Sequence, residues 1–216
     1  MIYSARHNYI FIHIPKTGGT SLARALEARA AADDIMLGDT PKALKRRHRV
    51  KDVNAAGRLW KHSTLADIAG LVTQEQIAQA RIFTMVRNPW DRVVSYYHWL
   101  QAQSFDHPAV GLAKDLTFSA FLNHPQIMAS LKAHPYGRYV TDGTGQERCD
   151  LFVRLEHLEQ DIARLEQLIG LRIAPLGHDN RSKREKSYAF YYSEEDQHLV
   201  GDLLQEDIIR FGYKFG

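Results

Sequence analysis

The sequence holds a single cysteine, Cys149, so no disulfide can form within the chain. No apolar run approaches the roughly 20 residues that a bilayer-crossing helix needs. Met1 to Asn8 has no apolar segment of the signal-peptide kind. No Pro/Gly/Ser-rich tract divides the chain and no repeat is visible. No compact set of His, Cys and carboxylate residues shows a recognised metal-ligand spacing. Neither sign of charge dominates. The 28 Lys and Arg against 25 Asp and Glu leave +3, too little alone to point to nucleic acid. The expectation is a reduced, cytoplasmic protein with no metal, no nucleic-acid partner and no transmembrane segment. With 216 residues and 44% hydrophobic composition, the chain reads as one domain, 1–216, with a substantial core.

What is present is concentrated in Tyr9-Ile-Phe-Ile-His-Ile-Pro-Lys-Thr-Gly-Gly-Thr-Ser21. Tyr9 to Ile14 is β-branched and aromatic, the composition of a buried strand. Pro15 cannot donate to a sheet ladder and ends it. Gly18 and Gly19 open backbone torsions closed to other residues and let an anion approach the main chain. A helix from Ser21 to Ala32 follows, with Thr20 or Ser21 as its cap. A glycine turn running into a helix N-terminus is an anion site, because free N–H groups and the helix dipole both favour negative charge. Lys16 adds a full positive charge; Thr17, Thr20 and Ser21 add hydroxyls. The nucleotide P-loop instead ends in Gly-Lys-Ser/Thr, whereas here the lysine precedes the glycines. A plain strand-to-helix turn is the bland alternative.

Further along, Ala30 to Gly57 looks irregular. It contains Lys42-Ala-Leu-Lys-Arg-Arg-His-Arg-Val-Lys51, six basic residues and no acid. This run reads either as a solvated face or as a patch for an anionic acceptor. Ser63 opens a possible helix, and Thr73 to Ala80 reads as a short one. Arg81 to Arg87 is a second buried strand. Asn88-Pro89 then opens a helix to Gln103, since Asn caps well and Pro suits the first helical position. Phe105 to Gly145 reads mostly as loop, with a short helix over Leu116 to Leu122. Asp150 to Arg154 is a third strand, Glu156 to Ile169 a helix stopped by Gly170, and Ser193 to Phe211 a final helix stopped by Gly212. Strands alternating with helices predict an α/β fold: a P-loop-like parallel sheet flanked by helices on both faces.

Arg87 stands at the carboxyl end of a strand, where open α/β sheets place their ligands. Ser95 lies about two turns into the next helix. A guanidinium and a hydroxyl suit one phosphate, although Arg87 could equally form a structural ion pair. The segment Ile12 to Ser21 resembles the 5′-phosphosulfate loop of the sulfotransferases. Phe83-Thr-Met-Val-Arg-Asn-Pro-Trp-Asp-Arg-Val-Val-Ser-Tyr-Tyr97 resembles their 3′-phosphate motif. Both segments are most similar to the carbohydrate group that includes heparan 2-O-sulfotransferase. Asp207-Ile-Ile-Arg-Phe-Gly-Tyr-Lys-Phe215 resembles the same group.

The resemblance implies 3′-phosphoadenosine 5′-phosphosulfate, PAPS, as sulfuryl donor. Lys16, Thr17, Gly18, Gly19, Thr20 and Ser21 would hold its 5′ end, and Arg87 and Ser95 its 3′-phosphate. Lys16 would also meet charge developing on the leaving group. His62, in Trp60-Lys-His-Ser-Thr-Leu-Ala66, sits where relatives carry a catalytic base. Imidazole titrates near neutrality, at about 6.5, which suits proton transfer from a hydroxyl. Among eleven histidines, His98 is the rival base, while His13 is expected to pack beneath the loop. Asn180-Arg-Ser-Lys-Arg184 is similar to a loop that closes over the nucleotide, with Ser182 as a phosphate or ribose contact. The acceptor would be a saccharide or small molecule, possibly anionic, and the setting a bacterial cytosol. Two other readings stay open: a nucleotide kinase, and a nucleotide-binding module without catalysis.

Overall fold

A computed structural model of the chain describes residues 1–177 and 187–216. Met1–Val86 with Tyr136–Asp179 form one compact unit, and Arg87–Pro135 with Asn180–Gly216 form a second.

The first unit is built on a five-stranded sheet in the order β3-β1-β2-β4-β5. Its strands are β1 (Ile2–Ser4), β2 (Tyr9–Ile12), β3 (Ile35–Met36), β4 (Arg81–Val86) and β5 (Leu151–Arg154). The expected strands β2, β4 and β5 are parallel, pairing Tyr9 with Arg81 and Phe83 with Leu151. β1 and β3 extend this parallel core in antiparallel fashion, so the sheet is mixed. Neither stood out in the sequence. Three and two residues are too few to show alternation, and β3 falls in a stretch expected to be irregular.

Both faces of the central strands are buried, which explains their near-continuous apolar composition. One face presents Tyr9, Phe11, Phe83, Met85, Leu151 and Val153. It packs against Leu22 and Leu26 of α1 (Gly19–Ala28) and Ile162, Leu165 and Ile169 of α9 (Leu158–Ile169). The alternate positions Ile10, Ile12, Ile82 and Thr84 are equally buried. The Thr84 hydroxyl donates to the Ile12 carbonyl at 2.7 Å, satisfying a polar group that would otherwise be stranded in the core. Asp161, fully buried, accepts from Arg154 Nε at 2.9 Å and from Arg154 N, fastening β5 to α9. Gly170 ends α9 in a left-handed conformation, as its position predicted.

The basic run becomes α2 (Pro41–Arg46) and a 3₁₀ turn, Arg47–Val50. Half of its charges are engaged with main-chain oxygens. Arg46 donates to Ala31 O at 2.7 Å, Arg49 to Ala32 O at 2.6 Å, and Lys42 to Glu27 O. These carbonyls lie at the C-terminal end of α1 and just beyond it, where cations are favoured. No helix forms at Ser63, whereas Tyr136–Tyr139 forms the short helix α8. Thr73 and Gln76 make a reciprocal capping box on α3 (Gln74–Gln79).

In the second unit, Asn88 caps α4 (Pro89–Gln101), its side chain accepting from Trp90 N. The stretch expected to be mostly loop contains α5 (Pro108–Asp115), α6 (Phe118–Leu122) and α7 (Pro125–Ala133). Trp90, Val93, Tyr97, Val110, Phe118, Phe121 and Ile127 join these helices in one core cluster with Val200 and Leu204. The final helix is two, α10 (Glu194–Leu203) and α11 (Gln205–Phe211). They break at Leu204, whose side chain is buried.

Candidate active site

The loop between β2 and α1 is shaped by steric necessity. Lys16 has φ 67, in the left-handed region that non-glycine residues seldom occupy. Thr17 is fully buried and its hydroxyl donates to Ile14 O at 2.9 Å, which closes the turn. Gly18, at φ 85, is the N-cap of α1. A β-carbon on Gly19 would lie 2.5 Å from His13 Cδ2, so only glycine fits there. The helix therefore starts two residues earlier than the sequence suggested. Thr20 and Ser21 lie inside its first turn instead of capping it. No side chain caps this N-terminus and its first turn carries no acid. A helix end of this kind, with Lys16 before it, suits an anion.

His13, as expected, is buried beneath the loop at 4% exposure. Its ring stands edge-on to that of His62, with centroids 4.8 Å apart. His62 Nδ1 lies 2.6 Å from the His13 carbonyl oxygen. A carbonyl only accepts, so Nδ1 carries the proton and Nε2 presents its lone pair. Burial pushes the His62 pKa down to about 4. The bond to His13 opposes this, and the Lys61 charge adds to it. Burial likewise holds His13 well below the usual histidine range. Lys61 itself is paired with Asp39 at 3.1 Å. Loop, His13 and His62 thus belong to one unit and touch in series.

Two neighbours of His62 went unnoticed in the sequence. The Trp60 indole packs edge-to-face on His62 with centroids 5.1 Å apart, and the Arg58 guanidinium lies over the indole at 5.1 Å. Only the alternation 58-60-62 hints at a shared side, and that signal is weak without a strand to carry it.

In the second unit Arg87 Nε donates to Asp91 Oδ2 at 2.7 Å, with both side chains mostly buried. Asp91 sits four residues after Arg87 and four before Ser95. The structural ion pair left open by the sequence is therefore made. It also fixes the direction of the guanidinium. Ser95 is buried on α4. His98, on the same helix, packs edge-on against Tyr191, with ring centroids 5.0 Å apart. Asn88 donates to Lys214 O at 2.9 Å, and Phe215 packs on Trp90. This gives a physical reason for the pattern noticed in 207–215. Ser182, with 180–184, lies outside the described residues.

Among the described residues no group of three or more His, Cys, Asp or Glu side chains could hold a metal ion. No helix among them is long and apolar enough to cross a membrane.

The model of the sulfotransferase family matches residues 1–214. No curated protein sequence matches the chain significantly. Among solved structures, that of the mouse sulfotransferase SULT7A1 complexed with PAP is similar in fold. The TM-score is 0.54 at 16% identity, over 95% of this chain and 85% of that one.

Proposed function

Because the chain belongs to the sulfotransferase family, we propose that it moves a sulfuryl group from PAPS to an acceptor hydroxyl, and that 1–216 acts as one catalytic domain. The observation that carries this reading is the contact series in the first unit. Gly19, in the uncapped first turn of the helix that follows Lys16, abuts the His13 ring, and a neutral His62 stands edge-on to the same ring. An anion-binding end and a proton acceptor side by side suit attack of a hydroxyl on an anionic donor. The mouse neighbour is a complex with PAP, which supports the choice of nucleotide.

PAPS supplies the activated sulfuryl group. The residues of this chain bind and orient it and handle the proton. Lys16 to Ser21 hold the 5′ end through main-chain N–H groups, the Thr20 and Ser21 hydroxyls and the Lys16 ammonium, while Thr17, its hydroxyl given to Ile14 O, shapes the turn. Gly18 and Gly19 allow the loop its close packing, since a β-carbon there would meet Leu155 and His13 respectively. Arg87, aimed by Asp91, and Ser95 hold the 3′-phosphate. His62 Nε2 takes the hydroxyl proton while Nδ1–H stays on His13 O. A carbohydrate acceptor and kinship with the heparan 2-O-sulfotransferase group rest on the two motifs. A cytoplasmic setting rests on the chain's single cysteine, too few for a disulfide within it. A nucleotide kinase finds less support, since Lys16 precedes the glycines.

Thermal-shift titration tests the reading. Adenosine 3′,5′-bisphosphate should stabilise the protein at concentrations where ATP with magnesium does not. Labelled PAPS should then be consumed in the presence of an acceptor. Stabilisation by ATP with magnesium alone points to a kinase. Stabilisation by the bisphosphate without turnover on any acceptor points to a binding module.

A further inference from the structure

The helical stretch that carries the basic run has two sides, and the fold uses only one. α2 passes into the 3₁₀ turn and on to Lys51, whose backbone is still helical. Ala43, Arg46 and Val50 recur three to four residues apart and none of them is exposed. Arg46 and Arg49 bond to the carbonyls of Ala31 and Ala32, and Lys42 bonds to that of Glu27. The Thr40 hydroxyl donates to Glu27 Oε2 at 2.7 Å. These bonds clamp the stretch to the C-terminal end of α1. Pro41, Leu44, Arg47, His48 and Lys51 repeat at the same spacing and are all exposed, so they make the outer side.

That outer side mixes apolar and cationic groups. Leu44 is 51% exposed. It stands one turn before Arg47 and His48 and next to Lys45, with Lys51 a further turn on. Among the described residues no carboxylate stands within ion-pair distance of Lys45, Arg47 or Lys51. Asp52 is the one acid in 42–52, against six Lys and Arg. Asp33 is exposed on the clamped side, beside the carbonyl that Arg49 holds.

A soluble polyanion would use these cations and gain nothing from Leu44. An anionic lipid surface uses both: its headgroups attract Lys and Arg, and the acyl boundary covers the leucine. The long basic side chains can lay their stems along the apolar layer and keep their charged ends among the headgroups. One leucine is too little to hold a protein on a neutral bilayer, so such binding needs anionic lipid and is reversible. Without a membrane these side chains are solvated.

We infer that the outer side of 41–51 docks the protein on an anionic lipid surface. Leu44 enters the boundary between headgroups and acyl chains, and Lys45, Arg47 and Lys51 meet the lipid phosphates. The docking face lies at the C-terminal end of α1 and the Lys16 loop at its N-terminal end, about 15 Å apart for ten helical residues. Docking is therefore independent of nucleotide binding and of the sulfuryl-transfer reading.

Sedimentation with sucrose-loaded vesicles tests this. The vesicles are phosphatidylcholine alone, or phosphatidylcholine with an equal part of phosphatidylglycerol. Wild type should partition onto the anionic vesicles and not onto the neutral ones, and added salt should release it. Replacing Lys45, Arg47 and Lys51 with Ser should lower the partition coefficient by about 5-fold for each charge and about 100-fold together. Leu44→Ser should lower it by about 10-fold. Leu44→Trp should partition as well as wild type, and its emission should shift to the blue on anionic vesicles by more than that of wild type. Melting temperature should stay unchanged in all three variants. Dextran sulfate, a soluble polyanion, should bind Leu44→Ser as it binds wild type and bind the triple variant more weakly. Equal partition onto both vesicles, or none onto the anionic ones, overturns the inference. So does a Leu44→Ser variant that partitions like wild type, which would leave the face as a site for soluble polyanions. If saturating adenosine 3′,5′-bisphosphate releases the protein from the vesicles, the lipid is held by the Lys16 loop and the inference fails.

Discussion

Nδ1 of His62 donates to the main-chain oxygen of His13 across 2.6 Å, and this bond leaves Nε2 as the ring nitrogen able to accept a proton. Removing the ring by His62→Ala should lower kcat by about 10²- to 10⁴-fold, the usual share of a general base. Affinity for the bisphosphate should hardly change. His98→Ala, on α4, should leave kcat near normal. If instead His98→Ala abolishes turnover and His62→Ala does not, the base has been misassigned.

The same buried ring sets a pH window. The competent form of His62 is neutral, so activity is present above its pKa and falls as pH drops through about 4. An ordinary histidine would give that limb near 6.5. Stability follows the same sign. Between about 6.5 and about 4 the unfolded chain binds the proton that folded His62 refuses, so stability falls as pH drops through that interval. Urea midpoints at pH 7 and pH 5 should differ by less in His62→Gln than in wild type. An acid limb of kcat/KM at pH 6.5 would mean that the imidazole is not desolvated in the free enzyme.

Gly19 and His13 should be coupled. Gly19→Ala forces a β-carbon to 2.5 Å from His13 Cδ2, and overpacking of that kind costs about 1 to 3 kcal/mol. Bisphosphate binding should weaken as the loop shifts. His13→Ala makes room, so the double variant should regain part of both losses. Strict additivity in a double-mutant cycle would show that the two residues do not meet.

Arg87 and Asp91 give a sharper test of the 3′-phosphate. Arg87→Ala should cost about 1.5 to 3 kcal/mol of bisphosphate affinity while leaving 5′-AMP binding alone. Asp91→Asn keeps the shape but loosens the guanidinium, so it should lower discrimination between the two nucleotides by a smaller factor. Calorimetry with both ligands reads this directly. Equal affinities in wild type would exclude a second phosphate grip.

The basic run divides into two jobs. Arg46→Gln with Arg49→Gln should lower the melting temperature, because the carbonyls at the end of α1 lose their donors. Replacing Lys45, Arg47 and Lys51 with Ser should leave it unchanged. If those three steer an anionic acceptor, their loss raises its KM at low salt, and the effect fades as exposed charges are screened beyond about 10 Å at 0.1 M. A KM that does not move at low salt makes them a solvated face.

The legible parts of the fold are those whose cause is local. Asn88-Pro89, Thr73 with Gln76, Gly170 and Gly212 each declare a helix end within a few residues, and each lies where expected. The helices α5 and α7 were missed because histidines cap them. His107 and His124 accept from Ala109 N and Gln126 N, and His is not a residue from which a start is usually read. The break at Leu204 is set by packing, which no periodicity reveals. At the site, the loop glycines and Lys16 announce themselves by spacing. Asp91 behind Arg87, and Arg58 over Trp60, exist only as side-chain contacts and had to be seen.

The parallel pairing of β2 with β4 also bears on the order in which the protein assembles. β1 and β2 are neighbours in sequence, joined by the short turn 5–8, so they can meet at once. The hydroxyl of Thr84 must find Ile12 across 72 positions, and contacts that distant form late because the intervening chain resists closure. The loop after Ile12 therefore acquires its second wall only after the chain as far as Val86 has been made and has docked. During refolding, amide protection should reach the β1–β2 hairpin before it reaches β4, and competence to bind the bisphosphate should rise with the later phase. The loop 13–18 would then be among the last parts of the first unit to settle, although its residues are among the first to be synthesised.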